Sequence, residues 1–243
     1  MKLISGMHRS GTSLVAQLFY ESGADMGNPN TFYRPDKWNP EGYFEQPDIH
    51  AINMPLINGP LWKFAYFWLP STKTILKRAT RQTEQICQTA VKYRGKVVKE
   101  TRFCLTLPAW VQSGAQIDKI LICLRDPIQV AKSLQKRNKI TLIHAYSLWL
   151  IHNQRLLENT GDIPLWFIYY KNLLDKNRIM AEILPAFRFF DLEIPDDKLE
   201  RLSAAIVKPQ MNHNINSQID YPDSIESMWY ELLGRHARQF KTP

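Results

Sequence analysis

The chain has 243 residues, enough for one generous domain with a full core, and its 44% hydrophobic and 22% charged residues suit a folded globular protein. A net charge of +8 favours an anionic ligand, yet Lys and Arg are scattered rather than gathered in one dense block, which argues against a nucleic-acid partner. No apolar stretch approaches the roughly 20 residues of a membrane span and no signal peptide precedes the first strand, so no membrane partner and a cytoplasmic location are expected.

In chain order, residues 2–5 read as a strand and 12–22 as a helix. Between them Gly6-Met-His-Arg-Ser-Gly11-Thr-Ser13 has the frame of a phosphate loop, two glycines separated by four residues. A nucleoside-triphosphate loop places Lys after the second glycine. Here that position is Thr12, and the cation lies inside the loop as Arg9. Backbone N–H groups, two hydroxyls and a helix N-terminus still await an anion. The grip on a γ-phosphate is missing, which suits a 5′-phosphate that is not hydrolysed like ATP.

Residues 27–71 form an insertion rich in Pro, Asn, Gly and aromatics, including Trp38, Tyr43, Phe44, Trp62, Phe64, Tyr66, Phe67 and Trp68. Either it is a satellite hydrophobic cluster or it walls an acceptor pocket. Within it, Asn39-Pro-Glu-Gly-Tyr-Phe-Glu45 presents Glu45 beside aromatics, as a surface carboxylate or as a base whose pKa partial desolvation raises. A helix is expected over 73–93, and a strand over 96–99 ends at Lys99, which is either solvated or aimed into the crevice. Cys104 and Cys123 lie among apolar residues as small core side chains; with Cys87 they show no metal-ligand spacing, as in a reduced, intracellular protein.

Residues 119–124 are almost continuously apolar, as in a strand covered on both faces, and helices follow over 127–137 and 141–159. Arg125 leaves that strand, while Ser133 and Arg137, four residues apart, share a helix face. Taken alone, this is an Arg paired with a carboxylate and an exposed Ser. Beside a phosphate loop it fits a second phosphate clamp, since guanidinium binds phosphate through a bidentate fork. A strand over 165–170, a helix over 172–186 and a Pro/Asn-rich loop over 207–223 complete the pattern. Alternating strands and helices imply a single α/β domain with a central parallel sheet flanked by helices on both faces, its ligand beyond the strands' carboxyl ends.

Together these motifs resemble the sulfotransferases that use 3′-phosphoadenosine-5′-phosphosulfate (PAPS), over residues 3 to about 215. The loop from Arg9 through Ser10, Gly11, Thr12 and Ser13 is similar to the family's 5′-phosphosulfate loop in its tyrosylprotein and bacterial form. Arg125, Ser133 and Arg137 match the spacing of its 3′-phosphate motif. Lys99-Glu-Thr-Arg stands where bacterial members have Lys-Asp-Pro-Arg, a departure at Glu100 and Thr101, and Lys99 would contact the sulfonate. The Asn-Pro-Glu-Gly-Tyr-Phe-Glu segment resembles one common in bacterial members. Tyr170-Lys-Asn-Leu-Leu resembles an element after the last core strand, and Lys208 begins a stretch where members close over the nucleotide.

The resemblance implies PAPS as donor, adenosine-3′,5′-bisphosphate (PAP) as product, no metal, and a small-molecule or glycan acceptor. The general base is Glu45, with His50 and then His8 as alternatives. Two other classes compete: a P-loop small-molecule kinase, which needs a Lys where Thr12 stands, and a non-catalytic nucleotide- or RNA-binding module.

Overall fold

The structure, a computed structural model, describes residues 1–59, 69–207 and 221–241. Four strands form one all-parallel sheet in the order β2-β1-β3-β4: β1 (Lys2–Ser5), β2 (Val97–Lys99), β3 (Lys119–Leu124) and β4 (Leu165–Tyr169). The α/β architecture with a parallel sheet is therefore as expected, and all four strands lie where their apolar runs put them. Alternate residues face opposite layers. Leu3, Val98, Ile120, Ile122 and Phe167 join one core with Trp110 and Trp149; Ile4, Val97, Leu121, Cys123 and Ile168 join the other with Phe19 and Phe187. Burial on both faces explains why β3 carries no polar residue after Lys119.

Eleven α-helices surround the sheet among the described residues: α1 (Thr12–Glu21), α2 (Pro47–Asn58), α3 (Thr72–Ala79), α4 (Thr83–Lys92), α5 (Phe103–Gln112), α6 (Pro127–Asn138), α7 (Leu142–Glu158), α8 (Tyr170–Leu173), α9 (Ile179–Phe189), α10 (Asp196–Ile206) and α11 (Asp223–Gln239). Two expected helices are each split. The one over 73–93 breaks at Thr80–Gln82, where Arg81 and Gln82 N–H groups turn back to the Arg78 and Ala79 carbonyls. The one over 172–186 becomes α8 and α9, separated by a turn in which Asp175 Oδ1 accepts from Asn177 N–H. Helices α2, α5, α10 and α11 were not expected; Pro55 and Pro108 lie inside the first two, where proline ordinarily argues against a helix.

The insertion is thus a loop up to Gln46 followed by α2. Within it Phe32 packs edge to face with both Tyr20 and Phe44, and Phe44 lies tilted against Tyr20, ring centroids 5.7–6.0 Å apart. The aromatic run from Trp62 to Trp68 and the stretch holding Lys208 lie outside the described residues.

Parallel register brings Ser5, Lys99, Leu124 and Tyr169 to one edge of the sheet. From β1 the chain crosses to β2 on one side, whereas β3 leads to β4 on the other. The crevice between β1 and β3 is the switch point, flanked by the loops beginning at Gly6 and Arg125. Among the described residues no helix is long and apolar enough to cross a membrane.

Candidate functional site

The loop after β1 is shaped by close approach. At Gly6 φ is +142°, and a Cβ there would lie 2.6 Å from the Cys123 carbonyl oxygen. Gly11, at φ +90°, caps α1, and its Cβ would meet the Tyr170 ring at 2.2 Å. Arg9 between them is left-handed too (φ 73°), a conformation that costs a non-glycine residue roughly 1 kcal/mol or more. Its carbonyl is held by Arg125 at 3.0 Å, so the turn is braced from β3. Helix α1 starts with no side-chain cap and no acidic residue in its first turn, leaving its N-terminal N–H groups and positive dipole end for an anion.

Above this loop opens a cavity of about 850 Å³, lined by seven cationic side chains (Arg9, Lys37, Lys99, Arg125, Lys132, Lys136, Arg137) and two carboxylates, Glu41 and Glu45. The two phosphate-type motifs meet inside it, because Arg9 Nε donates to Ser133 Oγ at 2.8 Å. Arg125 donates through Nε to Gln129 Oε1 at 2.9 Å and lies 4.4 Å from the Tyr170 ring centroid. Arg137 donates to Tyr43 Oη at 3.4 Å. Among the described residues none of these three arginines has a carboxylate within ion-pair distance. Burial, then the neighbouring Arg137 and Arg125, pulls the Arg9 pKa down; burial does the same to Arg125. Cations crowded without counter-ions at a cavity wall are the electrostatic signature of an anion site.

Most expected site residues converge here. His8, Arg9, Gly11, Thr12, Ser13, Glu45, Lys99, Arg125, Ser133, Arg137 and Tyr170 all line the cavity. Two do not. Ser10 is buried with its N–H committed to the Met7 carbonyl at 3.1 Å, so its amide is not available to a ligand as expected. His50 stands off the cavity wall, with the Tyr33 ring 5.0 Å away. His8 Nδ1 lies 2.9 Å from Thr101 Oγ1; burial, then Arg102 and His152, holds its pKa well below the usual range.

Glu45 differs from expectation in its proton affinity. Its burial was expected to raise the pKa, and desolvation does act that way. Lys99 bonds to one of its carboxylate oxygens and Arg102 lies 3.4 Å from the other, and together they outweigh burial and hold the carboxyl below the ordinary glutamate range. Arg102 is shared: its NH1 also reaches Glu100 Oε1 at 2.7 Å, and its backbone N–H donates there at 2.9 Å. Burial is the main cause that raises Glu100. The pair is thus split, one carboxylate kept ionised beside Lys99 and the other kept proton-loving in the interior.

Two cavity lysines were not singled out from sequence, while Trp38 and Asn39 belong to the insertion named there. Lys132 and Lys136 flank Ser133 and Arg137 on α6 and follow from helical periodicity. Trp38 closes one side, its carbonyl accepting from Arg9 NH1 at 3.4 Å, and Asn39 Nδ2 donates to Ser13 Oγ at 3.1 Å. These contacts depend on how the 36–43 loop folds back, which short-range pattern does not show. Comparison with protein-family models and with curated proteins gives no match for this chain.

Proposed function

We propose that this protein is a PAPS-dependent sulfotransferase acting on a hydroxyl of a small molecule, with a carbohydrate hydroxyl second and an amine third as acceptor. The observation that carries this reading is the pairing of two anion-binding groups on one cavity wall, with a carboxylate beside the strand-end lysine. The donor would supply a sulfonyl group and leave as PAP.

The first group is the α1 N-terminus with Thr12, Ser13, Arg9 and Lys99, suited to a 5′-phosphosulfate; the second is Arg125, Ser133 and Arg137, suited to a 3′-phosphate. A ligand with phosphates at both positions uses both groups, whereas ATP uses one. Thr12 in place of the P-loop lysine disfavours the kinase reading. Arg9 and Lys99 would stabilise charge developing on the departing oxygen, Arg9 from the position in which Ser133 already holds it. Glu45, fixed by Lys99 and Arg102, would take the acceptor's proton once Lys99 turns toward the sulfonate. Three free cysteines, one of them exposed, suit a reducing cytoplasmic setting.

Incubation with labelled PAPS and a panel of phenols, sugars and amines tests the reading. Transfer of label to at least one class is expected; PAPS left intact with every acceptor, and unbound, would exclude it.

A further inference from the structure

Glu45 lines the cavity, whereas His50 and Glu100 do not, yet one ligating atom of each of the three lies within 4.8 Å of the others. Two polar atoms in this group are buried without a hydrogen-bond partner: His50 Nδ1 and Glu100 Oε2. Each such orphan costs about 1–3 kcal/mol if left dry. Two hydrogen bonds through one water span roughly 5.6 Å, so atoms this close are within reach of a single bridging water. A metal ion fits the charges poorly. The two carboxylates already face two cations, Lys99 and Arg102, and a divalent ion would leave a buried surplus of positive charge.

We propose that this recess holds an ordered water through which His50 relays to solvent the proton that Glu45 removes from the acceptor. The inference rests on the sulfotransferase reading above. As the acceptor oxygen bonds to sulfur and the sulfur–phosphate oxygen bond breaks, the acceptor's proton passes to the Glu45 carboxylate. Glu45 gives it to the water, and the water passes one proton to His50 Nδ1. The ring is only half-buried, and it releases its Nε2 proton to bulk solvent. Carboxylate and water are restored, and exchange with solvent returns the imidazole to its starting tautomer. The relay starts from the neutral ring with its proton on Nε2, which leaves the buried Nδ1 as the acceptor.

The groups facing His50 are Tyr33, Glu45, Glu100 and Arg102. Burial and then Arg102 push its pKa down to about 4, against Glu45, so the ring holds a proton only in passing. This makes His50 a relay behind the base rather than the base itself, and it accounts for both residues standing near the sulfonyl site while only Glu45 reaches the cavity.

The test uses water as the acceptor, following PAP release from PAPS by the full-length wild type and by His50→Gln and His50→Ala. Both variants are expected to turn over about tenfold more slowly, below the usual range for losing the base itself, with unchanged affinity for PAP. Added imidazole should restore most of the rate in His50→Ala. Variants at the wild-type rate, or slowed without rescue, overturn the relay alone; a wild type that neither binds PAP nor releases it overturns the donor reading as well. A crystal structure adds a check independent of turnover. Water bonded to both His50 Nδ1 and Glu100 Oε2 is expected, and a dry gap or an anomalous metal peak there contradicts the proposal.

Discussion

Burying a carboxylate beside two cations lowers its proton affinity and fixes its position at once, and Glu45 shows both effects. A weakened base is still useful when the cation that weakens it is drawn away by substrate, which is the role given to Lys99. Glu45→Gln should therefore abolish sulfonyl transfer while PAP affinity, measured by calorimetry, stays within a few-fold of wild type. Lys99→Ala and Arg9→Ala should each lower turnover by roughly two or more orders of magnitude, the scale for losing a preorganised charge stabiliser. Wild-type rates in both would remove the proposed transition-state contacts.

A pH effect on stability follows from the buried histidines. His152 accepts no charge easily in the fold: burial drives its pKa down to about 4, while the unfolded chain protonates it near 6.5. The unfolded state then binds more protons between those values, so stability is full above about pH 6.5 and falls as pH drops toward 4, by about 3 kcal/mol from His152 alone. Thermal melts across that window check this, and His152→Gln should flatten the slope. The proximity of Glu45 to aromatics was legible in sequence. Its two cationic partners were not, because Lys99 and Arg102 lie more than fifty positions away and meet it only through the fold.

At the scale of elements, strand β1, its loop and helix α1 form one short-range unit whose glycines, strand and helix start are all written locally. That is why the strand–loop–helix unit could be read directly. The reason its glycines are needed is tertiary: Gly6 lies against the β3 backbone and Gly11 against Tyr170 at the start of α8. Gly6→Ala should lose about 2 kcal/mol or more, since a backbone carbonyl cannot move aside as a side chain can. Gly11→Ala should fold, displace the Tyr170 ring, and weaken PAP binding at least tenfold; unchanged affinity would show that the α1 N-terminus is not part of the site. The helices missed from sequence divide in two. Helices α10 and α11 carry buried Leu199, Ser203 and Ile206, and Ile225, Trp229 and Leu232, at plain i, i+4, i+7 spacing, and so were legible. Helices α2 and α5 contain prolines that packing overrides.

For the whole molecule, strand order turns three separate motifs into one cavity. The loop after β1, Lys99 at the end of β2 and Arg125 after β3 belong to distant stretches of chain and converge at the switch point. Alternating strands and helices predict that convergence in outline, while its electrostatics follow only from the packed structure. The surplus of cationic residues on the cavity wall leaves the free protein with unpaired charge, which the proposed ligand, an anion with phosphates at two positions, would relieve. Affinity should accordingly fall with rising salt, and saturating PAP should raise the melting temperature by mass action.

Calorimetric titration with PAP and with ATP, both in the presence of EDTA, tests the central claim most directly. The geometry predicts that PAP binds with a one-to-one stoichiometry, at least a hundredfold more tightly than ATP, and that Arg125→Ala removes most of that preference. Equal affinity for the two nucleotides, or a preference for ATP when the titrations are repeated with Mg²⁺ in place of EDTA, would contradict it.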